Sequence, residues 1–464
     1  MLARSHTLRE QLYNHLGLRS DWRTIPSIGH PCSRFSSRIL GQLATNLSID
    51  LSIDRNFSSM IKKYDIHQKL FCCYDENWRP VGSQEVMIKD YQNFLTLLTA
   101  RIFLTLEKGD YNHSLIKDIN VFFKAHERVN LPKFMDGAYE CVLRIKDKKI
   151  ERMRKSFKSK KVLCFDNLNK DCNGRPKITL PLDVLFYEGT IARSYLECLH
   201  FLGYEPRQII HLIPENDLVT NKPLARFLPG LLRREYISTI QKKKIHYWPQ
   251  HLFRNQRELC NAVFWNLQRD FKINHESLMS LVNLKPLSYY SNNIVELYFK
   301  TLGDENIFNF LKQQDPTSYL FTGGGIIPKR TLKIKDKKFI HIHPGYLPKI
   351  RGADCLLWSN LIMGQPSASC FYMNAEIDMG NILNSVFLPK FVLPEAIYRM
   401  DDLSIYRLIY SFVDPWARAL ILGDTIVRTN NLEKIKQKKQ KANDGTTFYF
   451  MHPEIRKNAF EAML

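Results

Sequence analysis

The chain has 464 residues, 44% hydrophobic and 24% charged, with a formal net charge of +21 and a pI near 9.4. That balance excludes a disordered or fibrous chain and leaves room for about two or three globular domains. No uninterrupted apolar run is long enough to cross a bilayer, so no membrane association is expected, and the basic surplus favours phosphate-bearing partners such as nucleotides, nucleic acid or a polyglutamylated cofactor.

The first forty residues hold six arginines against Glu10 and Asp21. This is faintly the composition of a mitochondrial presequence, but an ordinary cytoplasmic N-terminal segment is the expectation, and no secretory apolar core is present. The ten cysteines lie between Cys32 and Cys370 without a C-x-x-C pair. That argues against a zinc ribbon or a disulfide framework and for a reducing, cytoplasmic setting. Residues 1–145 read as a helical region of unknown role, with amphipathic spacing over Tyr91 to Leu106 and Leu115 to Phe123. The Leu-Ser-Ile-Asp repeat at 47–50 and 51–54 is too brief for a solenoid. Nine basic and two acidic residues fill Lys146 to Lys161, an exposed helix or linker within a basic connection over 146–180.

The pattern changes near residue 180. Leu182 to Tyr187 reads as a buried strand, Thr190 as the N-cap of a helix over Ile191 to Leu202 stopped by Gly203, and Arg207 to Ile213 as a second strand. Strand, helix and strand in this spacing form a βαβ unit, hence a parallel sheet with a right-handed crossover. Helices are expected over Gln256 to Phe271, Leu278 to Leu284 and Asn293 to Gln313. Strands follow at Tyr319 to Thr322, Phe339 to Ile342 and Ala368 to Met373, with a helix from Ala353 to Met363 closed by Gly364. The alternation implies an open, doubly wound α/β domain over 181–395. A C-terminal extension over 396–464 carries helices at 401–412 and 414–422, a lysine-rich connector, and an aromatic tail around Met451-His-Pro453.

The chemistry is concentrated in Phe339-Ile-His-Ile-His-Pro-Gly-Tyr-Leu-Pro-Lys-Ile-Arg-Gly-Ala-Asp354 and, 35 residues after His343, in Ile377-Asp-Met-Gly380. Residues two apart in a strand face one side, so His341 and His343 project together, and Pro344 ends the ladder just beyond them. Ligands bind at the carboxyl edge of open α/β sheets. A histidine backed by Asp378 suits proton transfer near neutral pH, and a second imidazole can donate to a developing oxyanion. Convergence of the three depends on strand order, which the spacing alone does not determine. Surface histidines beside a turn aspartate are the bland alternative.

Ile342-His-Pro-Gly-Tyr-Leu-Pro-Lys-Ile-Arg-Gly-Ala353, Trp358 and Ile377-Asp-Met-Gly-Asn-Ile382 together resemble the folate-dependent formyltransferase family, which includes methionyl-tRNA, glycinamide ribonucleotide and amino-sugar formyltransferases. The resemblance covers about 315 to 390, and the βαβ opening at 182 extends it. It implies a Rossmann-type, mainly parallel sheet and direct formyl transfer from 10-formyltetrahydrofolate to an amine. His343 and Asp378 match the family's histidine and aspartate, so His343 takes or relays the amine proton and Asp378 holds the imidazolium. His341 falls where the family places asparagine. An imidazole can still donate a hydrogen bond there, and His341→Asn is expected to be tolerated. Gly323, Gly324, Gly325 and Ile326 correspond to a loop lying along the folate, with glycines allowing close backbone approach. Arg351 and Gly352 are placed at the substrate or at the turn itself. Nothing resembles the C-terminal barrel of methionyl-tRNA formyltransferases, so the implied acceptor is a small amine or an amino-sugar nucleotide; nucleic acid is not favoured. No metal is called for.

Three other classes share these residues. A metal-dependent hydrolase would use His341, His343 and Asp378 as ligands, leaving Leu347-Pro-Lys-Ile-Arg-Gly352 without a role. A hydrolase on the same fold would release formate from the folate. A diverged, inactive binding protein would use the N-terminal region and basic run, but lacks the aromatic-basic interleaving of an RNA-stacking face.

Overall fold

Strand and helix alternate from residue 178 onward because short apolar runs, rich in β-branched and aromatic residues, are punctuated by glycine and proline. A computed structural model of the chain describes residues 113–127, 138–158, 177–217, 222–323 and 325–464, with residues 95, 98, 102, 160, 162 and 163. The presequence-like segment, the short repeat, most of Tyr91 to Leu106 and Gly324 lie outside the described residues. The chain divides into two compact units, Met1–Lys155 and Ser156–Leu464.

In the first unit, α1 (His113–His126) and α2 (Ala138–Lys155) are amphipathic. Leu115, Ile119 and Phe122 give α1 an apolar stripe, and the Phe123 and Tyr139 rings meet edge-on at 5.4 Å. The basic run forms the end of α2. Arg152, Arg154 and Lys155 are exposed there, whereas Lys146 and Lys149 are buried.

The second unit opens with β1 (Ile178–Tyr187), α3 (Thr190–Phe201) and β2 (Tyr204–Pro214), the anticipated βαβ unit. Gly203 stops α3 in the left-handed region, at φ 76°. Gly189 rather than Thr190 caps α3. Three helices follow: α4 (Gly230–Ile245), α5 (Tyr247–Asn255) and α6 (Arg257–Phe271). The expected helix over Asn293 to Gln313 is a strand and a helix, β3 (Ile294–Phe299) and α7 (Glu305–Gln313). Ile294-Val-Glu-Leu-Tyr-Phe299 is β-branched and aromatic, and pairing along β2 decides its conformation.

Next come β4 (Thr317–Phe321), β5 (Lys337–His343), β6 (Ile350–Gly352), α8 (Cys355–Met363), β7 (Ser367–Tyr372) and β8 (Ile382–Phe387). The chain closes with α9 (Asp402–Leu408), a π turn over Ile409–Val413, α10 (Asp414–Arg428), β9 (Thr446–Phe448) and α11 (Pro453–Glu461). The main sheet has seven strands in the order β3-β2-β1-β4-β5-β7-β8. The first five are parallel; β7 is antiparallel to both β5 and β8. The strand order reverses between β1 and β4, which makes a crevice at their carboxyl ends.

One sheet face buries Leu185, Ile210, Tyr319, Phe321 and Phe339 against Ile307 and Leu311 of α7. The other is covered by α3 and α10, clasped by Ser194 Oγ and Cys198 Sγ donating to the Pro415 and Ala419 carbonyls. Residues 396–464 are thus part of the sheet domain's packing. β9 pairs with β6, and Trp358 donates to the Tyr449 carbonyl at 2.9 Å while stacking on Phe448. The aromatic tail therefore has a packing role.

Candidate active site

β5 carries both imidazoles. His341 and His343 share the face of Phe339, and their partners across the antiparallel β5–β7 pair are Phe371 and Ser369. Beyond Pro344 the chain must turn sharply. Ser369 fixes that turn by donating to the Gly345 carbonyl at 2.6 Å and accepting from Leu347 N at 2.9 Å. A Cβ on Gly345 would stand 2.7 Å from His343 Nε2, so the glycine of His-Pro-Gly leaves room for the ring.

His343 is 2% exposed. Its Nε2 lies 2.9 Å from the Ile350 carbonyl, and its Nδ1 lies 3.4 Å from Asp378 Oδ2. Asp378 is steered by the Gly352 N–H, which donates to Oδ2 at 2.8 Å. Asp378 itself has φ 54°, a left-handed conformation that aspartate tolerates better than most residues. Gln440 clamps its loop from the C-terminal segment, donating to the Asp378 carbonyl at 3.0 Å and the Gly380 carbonyl at 2.6 Å. A Cβ at Gly380 would fall 1.6 Å from the Tyr372 carbonyl, which explains the glycine of Asp-Met-Gly. Burial outweighs the pull of Asp378 and holds His343 below its ordinary 6.5.

His341 is half-buried, with Nδ1 3.1 Å from the Phe321 carbonyl. Burial first and the Arg418 charge second push its pKa down to about 4. Arg418 approaches from the opposite sheet face, donating to the Ile342 carbonyl at 3.1 Å and to Asp414 at 2.8 Å.

The structure therefore brings His343, Asp378 and Gly352 together and sets His341 beside them on the same strand. It does not gather His341, His343 and Asp378 into a metal-ligand set; among the described residues no group of three His, Cys, Asp or Glu side chains could hold a metal ion. Arg351 is only 3% exposed and donates to the Lys441 carbonyl at 2.9 Å. It ties β6 to the C-terminal segment, and the Gly352 N–H donates to Asp378. Gly323 packs against Phe321 and Tyr187 at the end of β4, Gly325 lies against Leu302, and Ile326 is 74% exposed.

Two buried carboxylates, Glu188 and Asp354, gather partners that the sequence reading did not anticipate. Glu188, at the end of β1, is buried and accepts from Arg193 Nε and Nη2 at 2.8 and 2.7 Å and pairs with His246 Nε2 at 2.8 Å. Arg193 and His246 hold its carboxyl far below the usual range, against the cost of burial. An open cleft of about 200 Å³ beside it is lined by Tyr187, His211, Ser238, Gln241 and Lys242. Asp354 accepts from Tyr406 and Tyr410 hydroxyls at 2.7 and 2.9 Å and from Met451 N at 2.7 Å. This ties the Arg-Gly turn to the π turn and the tail. The four-residue spacings of the two tyrosines and of Asp414 with Arg418 are the signals a helical reading could have used.

No protein-family model and no curated protein matches the chain. Solved structures do. A sugar N-formyltransferase from a Shewanella species is 16% identical over 39% of this chain and 72% of its own, with a TM-score of 0.27. The N-formyltransferase of Helicobacter canadensis, solved with folinic acid and dTDP-3-aminofucose, is 12% identical over 61% of this chain and 80% of its own, at 0.29. HypX of Aquifex aeolicus, solved with tetrahydrofolic acid, is 17% identical over 38% of this chain and 28% of its own, at 0.25. Similarity this low transfers neither a residue role nor a substrate to this chain.

Proposed function

We propose that the unit Ser156–Leu464 is an enzyme that moves a formyl group from 10-formyltetrahydrofolate to the amine of a small, phosphate-bearing molecule, of which an amino-sugar nucleotide is the favoured example. The observation that carries this is the meeting of His343 and Asp378 at 3.4 Å, with Asp378 held by the Gly352 N–H. Each member comes from a different piece of the His-Pro, Arg-Gly and Asp-x-Gly set that resembles the formyltransferase family. A surface pair of histidines with an unrelated turn aspartate would give no such convergence.

The site lies at the carboxyl end of β5, and Gly323 and Gly325 follow the neighbouring β4, the edge where open α/β sheets bind ligands. The folate would lie along that edge. Phosphate on the acceptor is supported by the net charge of +21; the cleft beside β1 sets Lys242 and Ser238 against the carboxylates of Glu188 and Glu296. Tyr187 joins the two places, lining the cleft and packing against Gly323. No covalent enzyme intermediate is needed; positioning and proton transfer suffice.

Calorimetric titration of the full chain with a stable 10-formyltetrahydrofolate analogue tests the folate site. Saturable binding, weakened when Gly323 is replaced by valine, is expected; heats no larger than dilution would remove the folate from the proposal.

A further inference from the structure

We propose that His341, not His343, takes the proton from the attacking amine, through its Nε2. The proposal rests on the formyl-transfer reading given above and assigns a proton that the family resemblance would give to His343.

Tautomers decide the matter. A carbonyl oxygen can only accept a hydrogen bond, so the contact between His341 Nδ1 and the Phe321 carbonyl at 3.1 Å puts the ring's proton on Nδ1. In the neutral ring Nε2 then carries a bare lone pair. No described residue bonds to that nitrogen, and the side chain is only half-buried. The same rule applied to His343 gives the opposite result. Its Nε2 donates to the Ile350 carbonyl at 2.9 Å, its Nδ1 is turned to Asp378 at 3.4 Å, and the residue is buried. Neither of its nitrogens is open to a substrate.

Burial keeps the His341 ring neutral at rest, with its Nε2 lone pair free. Arg418 from α10 and His343 on its own strand disfavour the imidazolium; Asp378 from the loop after β7 and the Phe321 carbonyl from β4 favour it, and burial leaves the ring neutral above about pH 4. An asparagine amide at this position can donate but cannot serve as a base of this kind. A neutral His341 in this tautomer cannot do the reverse, since it offers no N–H to an oxyanion. The departure from the family pattern is therefore a change of role.

The step balances without any further reactant. The amine nitrogen bonds to the formyl carbon as the carbonyl π pair moves to oxygen, and His341 Nε2 takes a proton from that nitrogen. Collapse restores the C=O bond, breaks the bond from the formyl carbon to N10 of the folate, and returns the proton from His341 to N10. Asp378 and His343 then act as positioning residues beneath the turn that carries Gly352.

Long-range proton–nitrogen NMR of the histidine rings in the full-length protein, with the His341 signals identified by their loss in His341→Gln, reads the tautomer directly. The expected pattern is protonation on Nδ1 alone at pH 7; a proton on Nε2 there overturns the proposal. Transfer kinetics give the second test. Against the expectation from the family pattern that asparagine would be tolerated here, His341→Asn is expected to lower kcat by about 100-fold or more with little change in binding of the formyl-folate analogue, and added imidazole should restore part of the rate in His341→Ala but not in His343→Ala. Transfer at the wild-type rate in His341→Asn removes this assignment while leaving the reaction intact. A wild-type chain that transfers formyl to no amine removes the reaction and this assignment with it.

Discussion

Asp378 is the residue on which the proposed chemistry turns. At 3.4 Å its contact with His343 is longer than an ordinary charge-assisted bond, and with the His343 proton on Nε2 the facing nitrogen is bare. Asp378 also favours the charged form of His341, so it favours positive charge developing at that ring over the resting state. Asp378→Asn can keep the bond from the Gly352 N–H through its amide oxygen but loses the charge. Its kcat is expected to fall by about 100- to 10,000-fold with an unchanged far-ultraviolet spectrum and melting temperature; a kcat near wild type would take Asp378 out of the mechanism. His343 and Asp378 are legible as a pair because each sits in a short motif with a glycine that the turn requires. The tautomers of the two histidines are not, because they depend on the carbonyls of Phe321 and Ile350, main-chain groups that no side-chain pattern announces.

At the scale of elements, the end of β1 is anchored by charge. Glu188 joins β1 to α3 through Arg193 and to the end of α4 through His246, with all three side chains buried. Arg193→Met leaves Glu188 buried with one cationic partner lost. Such a break typically costs about 3–5 kcal/mol, to be read as a lower urea midpoint with an unchanged slope; a midpoint unchanged from wild type would show that the cluster does not hold β1. The βαβ opening is legible because β1 is a continuous apolar run and Gly203 ends α3 in the conformation glycine favours. β3 is read as helix because Asn293 to Gln313 also satisfies a helical period; its place beside β2 is a long-range pairing that local pattern does not contain. α4 is missed for another reason: Leu231-Leu-Arg-Arg-Glu-Tyr-Ile-Ser-Thr-Ile-Gln241 has no single apolar face. β8 is missed because its residues are mostly half-buried, with no alternation to follow.

For the whole molecule, buried and half-buried histidines dictate how stability responds to acid. Burial is the leading cause in each: His200 and His341 are pushed down to about 4, and His211 and His343 lie below their ordinary 6.5. Above about pH 6.5 both folded and unfolded chains keep these rings neutral, so they exert no pH dependence. Between 6.5 and about 4 the unfolded chain binds protons that the folded chain refuses, and stability falls. Glu188 has the depressed pKa of a paired carboxylate, so its contribution is complete above 4.5 and is lost further into acid. Thermal unfolding at a series of pH values should show a melting temperature level from pH 8 to 7 and falling steadily from 6.5 to 4; a level curve down to pH 4 would contradict this account of the buried rings. The most direct measurement of the central claim is the release of tetrahydrofolate from 10-formyltetrahydrofolate by the full chain, with and without a panel of nucleotide-linked amino sugars. Release that depends on an amino sugar, yields its N-formyl product in equal amount and disappears in Asp378→Asn is the predicted result. Release independent of any amine, with formate as the product, or no release at all, would contradict it.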